Sequence, residues 1–455
     1  MKGMVKDMTL RSVLYWVALA LLLIATGASV STGQPDVEQP VPNRPLTLQD
    51  CTAIALRMNP QIAASQQQVV VAQAGLTRAR SSYYPQLSLS AVEGLSGLAS
   101  AVLPLRDILS TSSDNTRQDL GLTFGMTLWR QGRKESVEQS KASLQATTFD
   151  DTSVAQTLVE QVARYYYGVL ATQQLLQVAQ AGVDSAQGHR EQVKARIALG
   201  AAADVDVFPA DDDLALAQLD VIDARSNIQL ALAQLKNAMG ISPETKVELA
   251  EYAPAGEETI PDLQQAIRTG LAGRPEVSAG DAAVEAGRYA LAQAKIERGP
   301  VTDFSVQYGQ QYAQWQDINS SWDLLLTVAW PLFDGHAAEA NETAAQASLK
   351  RSQADLQRLI NQVGLDAENA LVEVGRARER LSATAKSVAA AEARQAAAEG
   401  KYRQGVGILL EVVDARAAVT NARASQVRAR YDYQVSLVGL QRALGTLALP
   451  ETGGR

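Results

Sequence analysis

The chain has 455 residues, 46% of them hydrophobic and 20% charged, with a formal net charge of -8 and a single cysteine, Cys51. That balance belongs to a folded chain rather than a disordered one. The negative charge, with no basic stripe carrying interleaved aromatics, argues against nucleic acid as a partner, and one cysteine excludes an intrachain disulfide.

The chain opens with Lys2, Lys6 and Arg11, an apolar run from Val13 to Ala25, and the small residues Thr26 to Ser29. A basic start, a short apolar core and small residues form the pattern of a secretory signal over residues 1–30, cleaved near Ala28. An uncleaved inner-membrane anchor is the competing reading. Residues 31–45, punctuated by prolines, read as an extended linker. Cys51 lies too far beyond the signal to be lipid-modified and reads as a small buried residue.

A first structural repeat is expected over residues 46–240. Leu48 to Met58 has helical character, Asn59-Pro60 breaks it, and a second helical run continues to Ser82. Strands are expected at 86–92 and 119–129. In the second, Leu120, Leu122, Phe124, Met126 and Leu128 alternate with Gly121, Thr123, Gly125 and Thr127, so one face is apolar and the other small or polar. From Glu135 to Leu199 the pattern is helical and free of proline, roughly 100 Å if continuous. A turn at Gly200 and a returning helix from Pro209 to Met239 complete a long hairpin with its tip near residues 200–208.

Residues 241–260 read as a connector, and the arrangement then repeats over 261–447, leaving a tail at 448–455. Leu48 matches Leu263, Gln49 Gln264, Pro60 Pro275, Val69 Val284, Leu76 Leu291 and Pro85 Pro300, all at one constant separation. The separation shrinks across the strands, so the loop of the first strand hairpin is the longer. The second pair of strands is expected at 302–312, with Phe304, Val306 and Tyr308 on one face, and at 323–333, with Leu324, Leu326, Val328, Trp330 and Leu332. The second helical hairpin turns near residues 405–411.

An alternating strand of roughly 10 residues crosses a bilayer when tilted. No stretch after the signal reaches the run of about 18 apolar residues that a membrane helix needs, so membrane crossing falls to the strands. Four strands cannot close a barrel, and an open sheet edge in lipid leaves backbone groups unpaired; several chains must share one barrel. Trp129, Trp315, Trp322 and Trp330 lie in or beside the strands, where membrane barrels carry interfacial aromatics.

These residues carry a resemblance to the TolC-like outer-membrane efflux proteins. Its carriers are LTLQDCTAIALRMNPQI at residues 46–62, Tyr84-Pro85, WPLFDG at Trp330–Gly335 and KYRQGVGILLEVVDAR at Lys401–Arg416. The resemblance implies a mainly α fold with a membrane β-barrel: a homotrimer whose tandem-repeat chains give four strands each to a twelve-stranded barrel and long helical hairpins to a periplasmic α-helical tunnel. It implies an exit duct in the outer membrane of a Gram-negative-type cell, serving a tripartite efflux pump or a type I secretion system. The implied partners are outer-membrane lipid, a periplasmic adaptor protein and an inner-membrane pump. A periplasmic gate ring is implied at Glu411 and Asp414, with Asp206 on the first tip, and adaptor docking at Gly200, Gly405, Val406 and Gly407. Glu411 stands where the family more usually has aspartate, and Pro209 where a helical residue is expected. The competing explanations are that the acids favour the first turn of a helix and that the glycines serve the turns alone.

No catalytic or cofactor constellation emerges. His189 and His336 lack companions at metal-binding spacing, and Gly405-Val406-Gly407 does not complete a dinucleotide-binding pattern because Leu410 occupies its last position. No enzyme activity and no cofactor are expected. An exported, non-channel coiled-coil scaffold is the alternative function, and the apolar strand face is the feature such a scaffold does not need.

Overall fold

The computed structural model describes residues 44–95, 116–200, 202–250, 260–313 and 317–450. The elements run α1 (Leu48–Met58), α2 (Pro60–Ser81), β1 (Gln86–Leu95), β2 (Thr116–Arg130), α3 (Arg133–Ala198), a 3-10 turn (Asp204–Asp206) and α4 (Val207–Met239). They continue with α5 (Leu263–Gly273), α6 (Pro275–Ile296), β3 (Val301–Ala313), β4 (Asp317–Ala329), α7 (Ala337–Arg403) and α8 (Leu409–Ala443). The same order of helices and strands therefore occurs twice.

Local sequence sets the first break. The Thr47 hydroxyl accepts the Asp50 amide at 3.2 Å and the Asp50 carboxylate accepts the Thr47 amide at 3.0 Å, a reciprocal cap that starts α1. Asn59 ends it, because Pro60 disfavours helical backbone at the residue before it and presets the first turn of α2. Cys51 is fully buried in α1, and burial pushes its thiol up to about 12. Pro209 causes no break: it is the third residue of α4, where helix amides lack partners in any case.

α3 and α7 contain 66 and 67 residues, each roughly 100 Å long. α3 packs against α2, α4, α6 and α8, and α7 against α6 and α8. The short helices reach this length by meeting end to end. The Asn59 side chain donates to the Ala238 carbonyl at 2.8 Å, joining α2 to α4, and Gly240 turns there with φ +71°. A β-carbon on Gly240 would lie 2.6 Å from the Met58 carbonyl oxygen, and one on Gly445 (φ +66°) 2.4 Å from the Gly273 carbonyl carbon. Both the left-handed turn and the close approach require glycine. Four side-by-side rods result, in the order α2/α4, α3, α6/α8 and α7.

At the second joint Arg274 occupies the place of Asn59. It is buried, and its guanidinium donates to Asp366 of α7 at 2.6 Å and lies 3.6 Å from Glu276. Arg442 of α8 donates to Glu276 and reaches Thr157 of α3 at 3.3 Å, while the Ser153 hydroxyl of α3 donates to Glu276 at 2.9 Å. One polar cluster thus fastens α3, α6, α7 and α8. The connector is held separately: the Ala250 amide donates to the Leu46 carbonyl at 2.8 Å, and the Ala250 carbonyl accepts the Tyr166 hydroxyl at 3.0 Å.

The strands form one antiparallel sheet in the order β1-β2-β3-β4. Two expectations need correction. β4 ends at Ala329, opposite the first residue of β3, Val301; Pro331 has no amide to donate, so Trp330 and Leu332 lie beyond the strand. A bulge separates Thr127, paired with Asp303, from Trp129, paired with Thr302. Leu128 is the extra residue, and Trp129 takes the paired position that strict alternation assigns to Leu128. Trp315 lies outside the described residues.

Burial alone raises the Glu276 carboxyl, but hydrogen bonds from Arg442, its own backbone and Ser153 outweigh burial and bring it from 4.5 to about 2. A carboxyl depressed in the folded state adds stability in full above pH 4.5 that is lost as pH falls towards 2. Arg442→Met is expected to destabilise the chain by about 3 kcal/mol by removing the main partner of the half-buried Glu276, read as a lower thermal midpoint. Glu276→Gln is expected to flatten the loss of stability across that acid window; an unchanged acid profile would show that the pair does not fasten the rods.

Candidate functional site

The sheet register collects the apolar positions on one face. Leu122 lies opposite Leu89 and Tyr308, Phe124 opposite Leu87 and Val306, and Met126 opposite Phe304. Phe304 then faces Leu326, Val306 Leu324, Tyr308 Trp322 and Thr302 Val328. Leu120 sits on the same face opposite Ala91 and Gln310. The Phe124 and Phe304 rings meet edge to face, 6.4 Å between centroids. Leu87, Leu89, Leu324, Leu326 and Val328 are all more than half exposed, Leu326 at 62%. A continuous exposed apolar surface of this kind marks a membrane or protein interaction site.

The opposite face is mainly small and polar, with Val92 and Leu325 as apolar exceptions. Ser88, Thr123, Gln307 and Asp323 form one row across all four strands, and Ser90, Gly121, Gly309 and Ser321 another. Thr127 donates to Asp303 across the sheet at 2.7 Å. Apolar outside and polar inside is the pattern of a barrel wall enclosing water. The outer edges of β1 and β4 pair with no further strand among the described residues.

The rods end in two hairpin tips. At the first, Gly200 turns with φ +70°. Asp206 is half-buried, and its carboxylate accepts the Ala203 amide at 3.2 Å, closing its own turn. At the second, Gly405 turns with φ +77°, and the amides of Val406 and Gly407 donate to the Lys401 carbonyl at 3.1 and 3.2 Å. A β-carbon on Gly407 would lie 2.9 Å from the Lys401 β-carbon. Glu411 and Asp414 are exposed in the first turns of α8, three residues apart and hence on one face. Apolar side chains stand out around both turns: Leu199, Val205 and Phe208 on the first, Val406 (76% exposed), Ile408 and Leu410 on the second.

A tether between the tips escapes sequence reasoning. Arg196 of α3 donates to the Tyr402 carbonyl at 2.9 Å and its guanidinium lies over the Tyr402 ring at 4.4 Å. Arg416 of α8 donates to the Ser185 carbonyl of α3 at 2.8 Å and to Glu399 of α7 at 3.0 Å. His189 is 1% exposed, its ring edge-on to Tyr402 at 6.0 Å, with neither ring nitrogen hydrogen-bonded among the described residues. Burial, reinforced by the Arg416 charge and opposed by Glu399, lowers His189 to about 4. Arg190 further binds α3 to Asp211 of α4. The available signal was the Lys401–Arg416 stretch, which contains Tyr402 and Arg416 but not their partners.

A match to the outer membrane efflux protein family covers residues 53–241 and again 266–446. Among curated relatives, Protein CyaE of Bordetella pertussis is 24% identical over 317 residues, covering 68% of this chain and 65% of that protein. The fusaric acid resistance protein FusA of Burkholderia cepacia is 25% identical over 255 residues, covering 53% of this chain and 47% of that protein. The chain thus spans less than two thirds of the length of either relative. The solved outer membrane channel CmeC of Campylobacter jejuni shares the fold with a TM-score of 0.75 at 17% identity, over 89% of this chain and 87% of that one. Repeat by repeat, the family match falls on the elements that build the exposed sheet and the long rods, and the chain belongs to the outer membrane efflux proteins, with a TolC-like fold whose sheet sits in the outer membrane and whose helices lie in the periplasm.

Proposed function

We propose that the chain forms a homotrimeric exit duct that passes substrates from an inner-membrane pump, through a periplasmic adaptor, to the exterior, in a tripartite efflux pump or a type I secretion system. The observation that carries this reading is the four-stranded sheet with one predominantly apolar face, one mainly small and polar face and, among the described residues, two open edges. Lipid satisfies the apolar face but not the edges, where each unpaired backbone group costs several kcal/mol. Joining β4 of one copy to β1 of the next satisfies them. Two copies give eight strands, whose interior side chains fill; three copies are the smallest closed number that leaves a lumen. The end rods support the same ring, since Val70, Val71, Leu219 and Ile222 on α2/α4 and Leu365 and Val372 on α7 are exposed.

In this reading residues 1–30 are a signal removed on export and 31–45 a linker. Residues 46–240 and 261–447 are the two repeats, joined by 241–260, and 448–455 are a tail. Leu120, Leu122, Phe124, Met126, Phe304, Val306, Tyr308, Leu324, Leu326 and Val328 face lipid. Glu411 and Asp414, with Asp206 on the other hairpin, ring the periplasmic entrance. Gly200, Gly405, Val406 and Gly407, amid exposed apolar side chains, receive the adaptor. Arg416, Tyr402, Arg196 and His189 hold the second hairpin on the first until docking separates them. The duct performs no chemistry.

Carboxylates converging on a narrow axis attract cations and repel one another. Replacing Glu411 and Asp414 together with alanine is expected to raise single-channel conductance in planar bilayers or to weaken block by divalent cations; no change in either removes them from the gate.

A His lowered in the folded state favours the neutral form, so the tip packing keeps its full stability above pH 6.5 and loses it as pH falls towards 4. The charged groups around His189 are Arg416, Glu399 and, near Arg416 on α4, Asp213, whose carboxyl burial raises. Hydrogen-exchange protection of residues 409–416 is expected to drop several-fold over that window and to stay level in His189→Leu. Arg416→Ala is expected to lower the same protection at neutral pH; full protection in that variant contradicts the tether.

A further inference from the structure

We propose that the periplasmic rim of the sheet is a binding surface for anionic phospholipid headgroups of the inner leaflet. The inference rests on the outer-membrane duct reading and adds a lipid class to it. β2 ends, β3 begins and β4 ends in one row, Arg130 opposite Val301 and Val301 opposite Ala329, while β1 begins four rows further into the sheet, with Gln86 opposite Gly125. These are the ends that lead into the helices, so with the helices in the periplasm they mark the inner-leaflet headgroup level.

Two observations coincide at this rim. The amphipathic aromatics Tyr84, Trp129 and Trp330 stand exposed along it, beside the apolar Phe333, with the Trp330 indole N–H donating to the Arg298 carbonyl at 3.0 Å. Rings of this kind settle at headgroup depth. Beside them are the exposed cations Arg80, Arg130, Lys134, Lys295 and Arg298, none of which has an ion pair or side-chain hydrogen bond among the described residues.

The acids of the same rim are Asp334, Glu339, Glu297 and, in the first turn of α3, Glu135. Asp334 accepts the amides of His336 and Ala338 at 3.1 and 2.9 Å, and Arg298 acts on it only through its charge. Glu339 faces His336 at 3.2 Å, and Glu297 accepts from Asn341 at 3.2 Å. With Arg133, which donates to the Thr127 carbonyl, six cations stand against these four carboxylates, so the balance is positive, is repeated in every copy of the ring, and borders the apolar face that holds acyl chains. A lipid phosphate with no compensating ammonium, as in phosphatidylglycerol, fits this surplus better than phosphatidylethanolamine does. Basic clusters at the membrane surface select anionic lipids in this way, and salt weakens the attraction.

The test uses full-length protein purified in detergent, with conductance in planar bilayers measured first. Native mass spectrometry then titrates it with phosphatidylglycerol, with phosphatidylethanolamine of the same acyl chains, and with lipid A. Phosphatidylglycerol is expected to be retained several-fold better than phosphatidylethanolamine. The variant Arg130→Gln, Lys295→Gln, Arg298→Gln is expected to bring the two to parity with assembly mass and conductance unchanged. Equal retention by the wild type, a preference unaltered in the variant, or lipid A displacing phosphatidylglycerol overturns the proposal. A wild type that neither assembles nor conducts overturns the duct reading instead, so the two failures are separable.

Discussion

Everything in this molecule follows from backbone hydrogen bonding at the two edges of its sheet. Inside hydrocarbon no water can satisfy the free amides and carbonyls of β1 and β4, so the sheet is complete only when each edge meets another. Side chains point to the same answer. Leu87, Leu122, Val306 and Leu324 present one surface suited to acyl chains, while Ser88, Thr123, Gln307 and Asp323 present the other to water. In the proposed duct a single chain therefore holds one section of a wall, and copies complete it.

Below the sheet, the problem is length. α3 and α7 span it in one piece, whereas the rods beside them are assembled from shorter helices whose ends meet at Gly240 and Gly445. The two joints are built differently. Asn59 bridges the first with neutral hydrogen bonds, and Arg274 brings a charge into the second, where Asp366 and Glu276 balance it and Glu276 also pairs with Arg442. A buried ionic cluster often gives no more net stability than well-packed apolar residues of the same size, but losing one partner of it is strongly destabilising. It sits where four elements must be held in one register. At the far end Arg416, Arg196 and Tyr402 bind the second hairpin to the first by a few hydrogen bonds around His189, whose ring nitrogens have no hydrogen bond among the described residues.

Much of the architecture was legible because period and punctuation are local. Alternation exposed the strands, Asn59-Pro60 and Gly240 marked helix ends, and the recurrence of the Leu48–Pro85 pattern at Leu263–Pro300 exposed the repeat. Periodicity does not register a single inserted residue, so the bulge at Leu128 transferred a place on the paired face to Trp129. Nor does it reveal where a partner strand begins, so the run through Trp330 and Leu332 looked like strand although Val301 leaves nothing for it to pair with. The tether was hidden for another reason: Arg196 and Tyr402 are 206 residues apart, and Ser185 and Arg416 are 231 apart. A buried histidine on a long helix looks no different in sequence from an exposed one.

The measurement that bears most directly on the shared barrel is the detergent-corrected mass of the protein extracted from isolated outer membranes. The account requires extraction to depend on detergent and the particle to contain three chains. A protein released by salt or osmotic shock, or a monomer that stays dispersed without detergent, would contradict it, because the open edges and the apolar face would then have no lipid and no neighbour to satisfy them.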